Sequence, residues 1–173
     1  MMLAGKKVLL KYPVLTDIDD LLIWENDKEV WEAGDNKEPY SREDMELFVM
    51  SGQSLEENMQ ARWMIFGRED KKAKGCIDLY EYNAFNRRAG VGILIYSKED
   101  RKKGFAKEAL ELLISFAKND LKMHQLYCYI LENNEASIEL FKNCGFEKTG
   151  EKKEWRLRQN TWKNEFTFQL ILD

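Results

Sequence analysis

An apolar strand that runs into a cationic, glycine-punctuated loop and then into a long amphipathic helix constrains this chain more than any other stretch. It spans Gly90 to Lys107, GVGILIYSKEDRKKGFAK. Val91 to Tyr96 reads as the strand, Ser97 to Lys103 as the loop, and Gly104 as the start of the helix. Gly104 lets the backbone turn without a Cβ, and Ala106 keeps the next turn thin. Arg101, Lys102 and Lys103 then meet unsatisfied main-chain N–H groups at a helix N-terminus, which carries partial positive charge and suits an anion. A pyrophosphate is the expected guest, cradled by Arg101, Lys102, Lys103, Gly104, Phe105, Ala106 and Lys107.

The elements on either side fit one mixed domain over residues 1–173. Lys7 to Tyr12 alternates apolar with polar residues and ends at Pro13, as an edge strand does. Thr16 and Asp19 resemble a helix cap ahead of Ile18, Leu21 and Leu22. Trp24 to Glu32 is rich in acids and aromatics, Gly34 to Tyr40 is a polar loop, and Ser41 opens another helix. Ser51 to Asn58 reads as irregular. Ala61 to Arg68 is strand-like. In Gly75 to Tyr82, period two puts Cys76, Asp78, Tyr80 and Tyr82 on one face and Ile77, Leu79 and Glu81 on the other. From Gly104 to Asn119, Ala106, Ala109, Leu110, Leu113, Phe116 and Ala117 share one helical face. Leu126 to Leu131 is continuously apolar, as a strand parallel to its neighbour and covered on both faces would be. Asn134 to Asn143 is a short helix ended by Gly145. Phe146 to Arg158 and Thr161 to Leu172 read as a closing hairpin with Asn160 in the turn.

Composition excludes several classes. The formal charge of −4 disfavours a nucleic-acid partner. No apolar run is long enough to cross a bilayer as a helix. The opening MMLAGKKVLLKYP lacks the long apolar core and cleavage site of a secretory signal, so it reads as a first strand and the setting as cytoplasmic. Cys76, Cys128 and Cys144 are odd in number and not spaced as zinc ligands, so free core thiols and no metal site are expected. His124 is the sole histidine, and its place just before a strand suits a capping or surface role.

The spacing Arg101-x-x-Gly104-x-Ala106 resembles the acyl-CoA pyrophosphate loop of the GNAT acetyltransferase superfamily. A second signature, Asn134-x-x-Ser137-x-x-x-Phe141-x-x-x-Gly145-Phe146, resembles that superfamily's late motif, with the two motifs in the expected order. The likeness covers most of the chain from Ala61 onward. A narrower resemblance is to bacterial spermidine/polyamine N-acetyltransferases and the related ribosomal-protein N-terminal acetyltransferases. It rests on GCIDLYEYNAFNRRA (Gly75 to Ala89) and on Glu38-Pro39-Tyr40. The implied fold is a mixed α/β sheet of about seven strands, mostly antiparallel, with a central parallel pair that splays apart and helices on its faces.

The implied reaction is attack of a primary amine, a polyamine in this narrower likeness, on the thioester of acetyl-CoA. Main-chain groups of Ile93, Leu94 and Ile95 would align the pantetheine after a bulge suited to Gly90 and Gly92. Asn134, Ser137 and Phe141 would lie along the same cofactor. Relatives often carry Tyr at the Phe141 position as the acid for the leaving thiolate, and here that hydroxyl is missing. Tyr127, Tyr129 or a water is left to replace it. Glu81 is the expected base and amine ligand, with Asp78, Glu32 and Glu38 as further acids for a cationic substrate; Trp24 and Trp31 suit either core packing or a wall for an aliphatic chain. The resemblance also implies a homodimer or higher homo-oligomer. Protein N-terminal or other small-amine acetylation stays open as the acceptor, and the missing hydroxyl keeps open a module that binds acyl-CoA without turnover.

Overall fold

The computed structural model describes residues 1–33 and 38–172, apart from the side chains of Glu32 and Ala33. Two strands, Met2–Ala4 (β1) and Val8–Lys11 (β2), stand where one was expected. Helices Ile18–Glu25 (α1), Lys28–Ala33 (α2), Arg42–Met50 (α3) and Leu55–Asn58 (α4) follow. Then come Ala61–Gly67 (β3), Ala73–Asn83 (β4), Arg88–Ile95 (β5), Phe105–Asn119 (α5), Gln125–Leu131 (β6), Glu135–Asn143 (α6), Glu147–Arg158 (β7) and Thr161–Ile171 (β8). The eight strands form one sheet in the order β1-β2-β3-β4-β5-β6-β8-β7, and only β5 and β6 run parallel.

Local chemistry sets these boundaries. Ser41 caps α3, accepting from the Asp44 N–H while Asp44 accepts from the Ser41 N–H. At the entry to α1 it is Asp17, not Thr16, that closes the turn, accepting from the Val14 N–H at 2.9 Å. Ser54 caps the short α4, accepting from the Glu57 N–H, where an irregular segment is expected from sequence. Gln159 and Asn160 turn the β7–β8 hairpin with positive φ at both, as a two-residue turn requires.

One face of the sheet carries the main core. Trp63, Ile65, Ile77, Leu79, Val91, Leu126 and Phe168 pack there with Leu110 and Leu113 of α5 and Phe141 of α6. The other face is covered over its first half by α1 and α3, where Ile18, Leu21, Trp24 and Met45 meet Met64 and Cys76. Trp24 is thus a core residue, stacked on Tyr96.

Candidate active site

The parallel pair supplies the central geometry. β5 and β6 are in register only over Arg88–Gln125, Ala89–Leu126 and Gly90–Tyr127. Beyond Gly90, β5 keeps only β4 as a strand neighbour, with Ile95 opposite Gly75. β6 turns instead to β8 along its whole length. A gap therefore opens from Val91 to Ile95, and one edge of Ile93, Leu94 and Ile95 has no ladder partner. Past the end of β6 lies a cleft of about 410 Å³ lined by Glu29, Leu131, Asn134, Arg158, Thr161 and Lys163, among others.

The expected bulge is present, but on the neighbouring strand. Tyr80 pairs with Gly90 and Asn83 with Arg88, so Glu81 and Tyr82 of β4 face the single residue Ala89 of β5. Glu81 adopts φ 48°, a left-handed conformation unusual outside glycine. The extra residue exchanges the faces that period two assigns. Tyr82 packs against the main core with Ile77 and Leu79, while Glu81 turns to the side of Tyr80. Gly90 serves a close approach, because a Cβ there would lie 2.3 Å from the Tyr80 ring. Gly92 has no such constraint.

The Glu81 carboxylate is exposed and accepts from the Tyr127 hydroxyl at 2.5 Å. Tyr127 is buried, edge-on to Tyr80 and tilted against Tyr129. Burial first, and then the bond to Glu81, raise the Tyr127 pKa above that of an ordinary phenol. Burial likewise raises Tyr80. This pair sits at the apex of the gap, where β5 and β6 part.

The remaining acids are placed differently. Both Asp78 oxygens accept from Arg62, Nε at 2.7 Å and Nη2 at 2.9 Å, and Arg62 also pairs with Glu25. Burial opposes the Arg62 charge, but Asp78, Cys76 and Glu25 more than offset it and hold the guanidinium well above its ordinary pKa. Burial pushes the neighbouring Cys76 thiol up to about 12. Glu38 is exposed beside Pro39 and Tyr40, and Tyr40 is fastened to the end of α1 by two hydrogen bonds with Asn26. The Glu32 side chain lies outside the described residues. Trp31 donates its ring N–H to the Glu25 carbonyl.

The loop before α5 is a main-chain cradle. Gly104 caps the helix at φ 87°, and Lys102 also has positive φ. The amides of the first turn point out of the helix with no partner inside it. Arg101 folds back, donating to the carbonyls of Ile95 at 3.2 Å and Tyr96 at 3.1 Å, so its side chain braces the loop. Lys103 lies 3.7 Å from Asp100, which also pairs with the buried Lys74. Lys102 and Lys107 are exposed, and Phe105 stacks over Lys74. Behind the loop, Glu108 accepts from three amides, Lys6 at 2.9 Å and Lys7 and Val8 at 2.7 Å each. Lys7 in turn donates to the Lys103 carbonyl. No local motif marks this clasp, because its partners are a hundred positions apart in the chain. Asn134 caps α6 by accepting from the Ser137 N–H, and it also lines the cleft. Phe141 is 3% exposed and packs edge-on against Phe146, so its ring is inside the core rather than along the gap.

Among the described residues there is no cluster of three or more metal-ligating side chains, and no helix is long and apolar enough to cross a membrane.

A strand pair that parts ahead of an amide-lined helix start leaves room for an extended anionic ligand between two strands. Residues 7–147 match the family model described as an acetyltransferase (GNAT) domain. The chain belongs to the GNAT acetyltransferase family. The spermidine N(1)-acetyltransferases of Vibrio cholerae and Escherichia coli are 27% and 29% identical to it over 66% of its length. The matched segments span 64% and 60% of those relatives. A crystal structure of the Vibrio cholerae spermidine N-acetyltransferase in complex with CoA and spermine superposes with a TM-score of 0.86. That match has 20% identity and covers 97% of each chain. A GNAT-family acetyltransferase from Bacillus anthracis superposes at 0.81, with 16% identity, over 99% of this chain and 98% of its own. These likenesses show the same fold.

Proposed function

We propose that residues 1–173 act as one acetyl-CoA-dependent N-acetyltransferase domain that modifies a primary amine, a polyamine such as spermidine, by direct attack in a ternary complex. The observation that carries this reading is the gap between β5 and β6, with an amide cradle beyond one end and an exposed carboxylate at its apex. The residues present fit the co-substrate. Gly104 and the first-turn amides through Lys107 would hold the diphosphate, aided by the charges of Lys102 and Lys103, with Arg101 bracing the turn. The ladder-free edge of Ile93, Leu94 and Ile95, where Arg101 already holds the Ile95 carbonyl, would align the pantetheine, with Asn134 and Ser137 on the far side. When bound, acetyl-CoA supplies an acyl group activated by a thiol leaving group.

Glu81 takes the proton of the attacking amine, directly or through one water, and its charge draws the ammonium form into the site. Glu32 and Glu38 are assigned, as part of this proposal, to hold a second ammonium. Asp78 contributes through Arg62, since both of its oxygens are already engaged. The named polyamine relatives support this acceptor class. A cytoplasmic setting fits the three free thiols, and the dodecameric state described for the Vibrio cholerae protein supports expecting a homo-oligomer.

The buried Phe141 favours a second reading, a module that binds acyl-CoA without turnover. A thiol-release assay with acetyl-CoA and a panel of polyamines, small amines and peptide N-termini separates the two. Release with spermidine is the expected result, and tight CoA binding with no release for any amine would establish the second. Glu81→Gln is expected to lower kcat by about 10²-fold or more while leaving CoA affinity near wild type. Equal losses in both would remove Glu81 from the chemistry.

A further inference from the structure

We infer that the Tyr127 hydroxyl is the proton donor to the leaving sulfur, working as a relay with Glu81. This rests on the acetyl-transfer reading above and fills the role left open by Phe141. Three observations converge on it. Tyr127 stands opposite Gly90, the last paired residue before the gap, so its side chain is fixed at the apex rather than along either arm. Its hydroxyl already donates to Glu81 at 2.5 Å, in a position set by the β4 bulge and the left-handed Glu81 backbone. Phe141 cannot act, having neither a hydroxyl nor an open path to the gap.

The bulge turns Tyr82 into the core and Glu81 out of it, which packing favours; what packing does not require is that the Glu81 carboxylate meet a phenol. A regular β4 would send Glu81 to the core face and Tyr82 to the other, the reverse of what is seen. An unusual backbone held at one carboxylate is a mark of a working site when the surroundings enforce it. Here the side-chain contact at that carboxylate is the phenol of Tyr127.

The relay conserves atoms and charge. The amine nitrogen bonds to the acyl carbon as the carbon–sulfur bond breaks. The surplus proton of the nitrogen passes to the Glu81 carboxylate. Once protonated, Glu81 donates to the Tyr127 oxygen instead of accepting from it, which frees the hydroxyl to turn to the sulfur; the hydroxyl proton then passes to sulfur as the Glu81 proton moves to the Tyr127 oxygen. The products are the amide and the free thiol, and both residues return to their starting states. Burial makes the phenol a weak acid, which keeps its proton in place until the sulfur acquires charge. The groups that set its field are Glu81 and Tyr80 on β4, Arg88 on β5 and Tyr129 on β6.

The test uses the whole chain and two measurements. In the first, Tyr127→Phe is compared with wild type in steady-state turnover with acetyl-CoA and the best amine of the panel. The expected result is a fall in kcat of about 10²-fold, with the acetyl-CoA KM changed by no more than about twofold. The second needs no turnover. The ionisation of the thiol of bound CoA is followed by its ultraviolet thiolate absorbance, with binding of desulfo-CoA as the control. A hydroxyl that donates to the sulfur stabilises the thiolate, so Tyr127→Phe raises the pH at which bound CoA ionises and leaves desulfo-CoA affinity unchanged. Wild-type turnover in Tyr127→Phe, or an unaltered thiol titration, overturns the assignment. If Tyr127→Phe does not fold, fluorotyrosine at position 127 keeps the ring, and its more acidic hydroxyl is expected to lower the thiol ionisation instead; no change would overturn the assignment. If wild type acetylates nothing, the acetyl-transfer reading fails, and the thiol titration still decides whether Tyr127 touches sulfur.

Discussion

The two sides of the gap are made of different material. On the side proposed for the cofactor the groups on offer are main chain: the ladder-free edge of β5 and the first amides of α5, with side chains such as Arg101 and Glu108 bracing from behind. On the side proposed for the acceptor they are side chains, and their positions depend on partners from other elements: Arg62 with Asp78 and Glu25, and Tyr127 with Glu81. A main-chain site tolerates changes of residue type except where a Cβ cannot be accepted. A side-chain site fails through loss of a single partner.

That contrast can be broken at three points. The largest expected effect is on the acceptor side. Arg62→Ala leaves the mostly buried Asp78 without the guanidinium that holds both of its oxygens, and stability should fall by about 3 kcal/mol in denaturant unfolding. A smaller loss with normal turnover would show that the carboxylates relax into water and that this network is not a support. Next comes the cofactor side. Gly104→Val forces a β-branched residue to φ 87°, with its Cβ 3.1 Å from the Lys7 ammonium. Strain of about 2 kcal/mol should weaken CoA by at least about tenfold in calorimetry. Unchanged affinity would mean that the cradle does not depend on this turn. The smallest effect is from acid. Asp44 bonded to Ser41, Asp70 to Lys74 and Glu151 to Lys148 all have pKa values below the ordinary carboxylate range. A lowered pKa stabilises the fold above the ordinary range, and that support is lost as pH falls through the lowered value. Asp44→Asn should slightly flatten the acid limb of a stability–pH curve, and an unchanged limb would place the acid-sensitive groups elsewhere.

The same division explains what could be read from sequence. The strand, cradle and long helix were legible because each needs particular residue types at fixed local spacing: Gly104 for positive φ, the 3.6-residue apolar stripe of α5, and Asn134 at a cap. The gap could be expected only through family resemblance, since no residue of β5 announces where its partner leaves. The bulge was misplaced onto β5 because Gly90 and Gly92 looked permissive, whereas the strand that bends carries Glu81 and Tyr82. Period two then assigned those two residues to the wrong faces. Asp78 read as a free acid because its partner Arg62 lies 16 residues away on another strand. The extra strand β1 and the helix α4 are three and four residues long, too short for periodicity to register.

The clasp on Glu108 has a kinetic meaning. Its carboxylate is gripped by amides 100 to 102 positions earlier in the sequence. Closing so long a segment is an entropic burden that local helix formation cannot relieve. The turn that would receive the diphosphate is therefore expected to gain its final shape late, after the far edge of the sheet has been laid down, so that ligand capture during refolding reports completion of the tertiary structure rather than growth of α5.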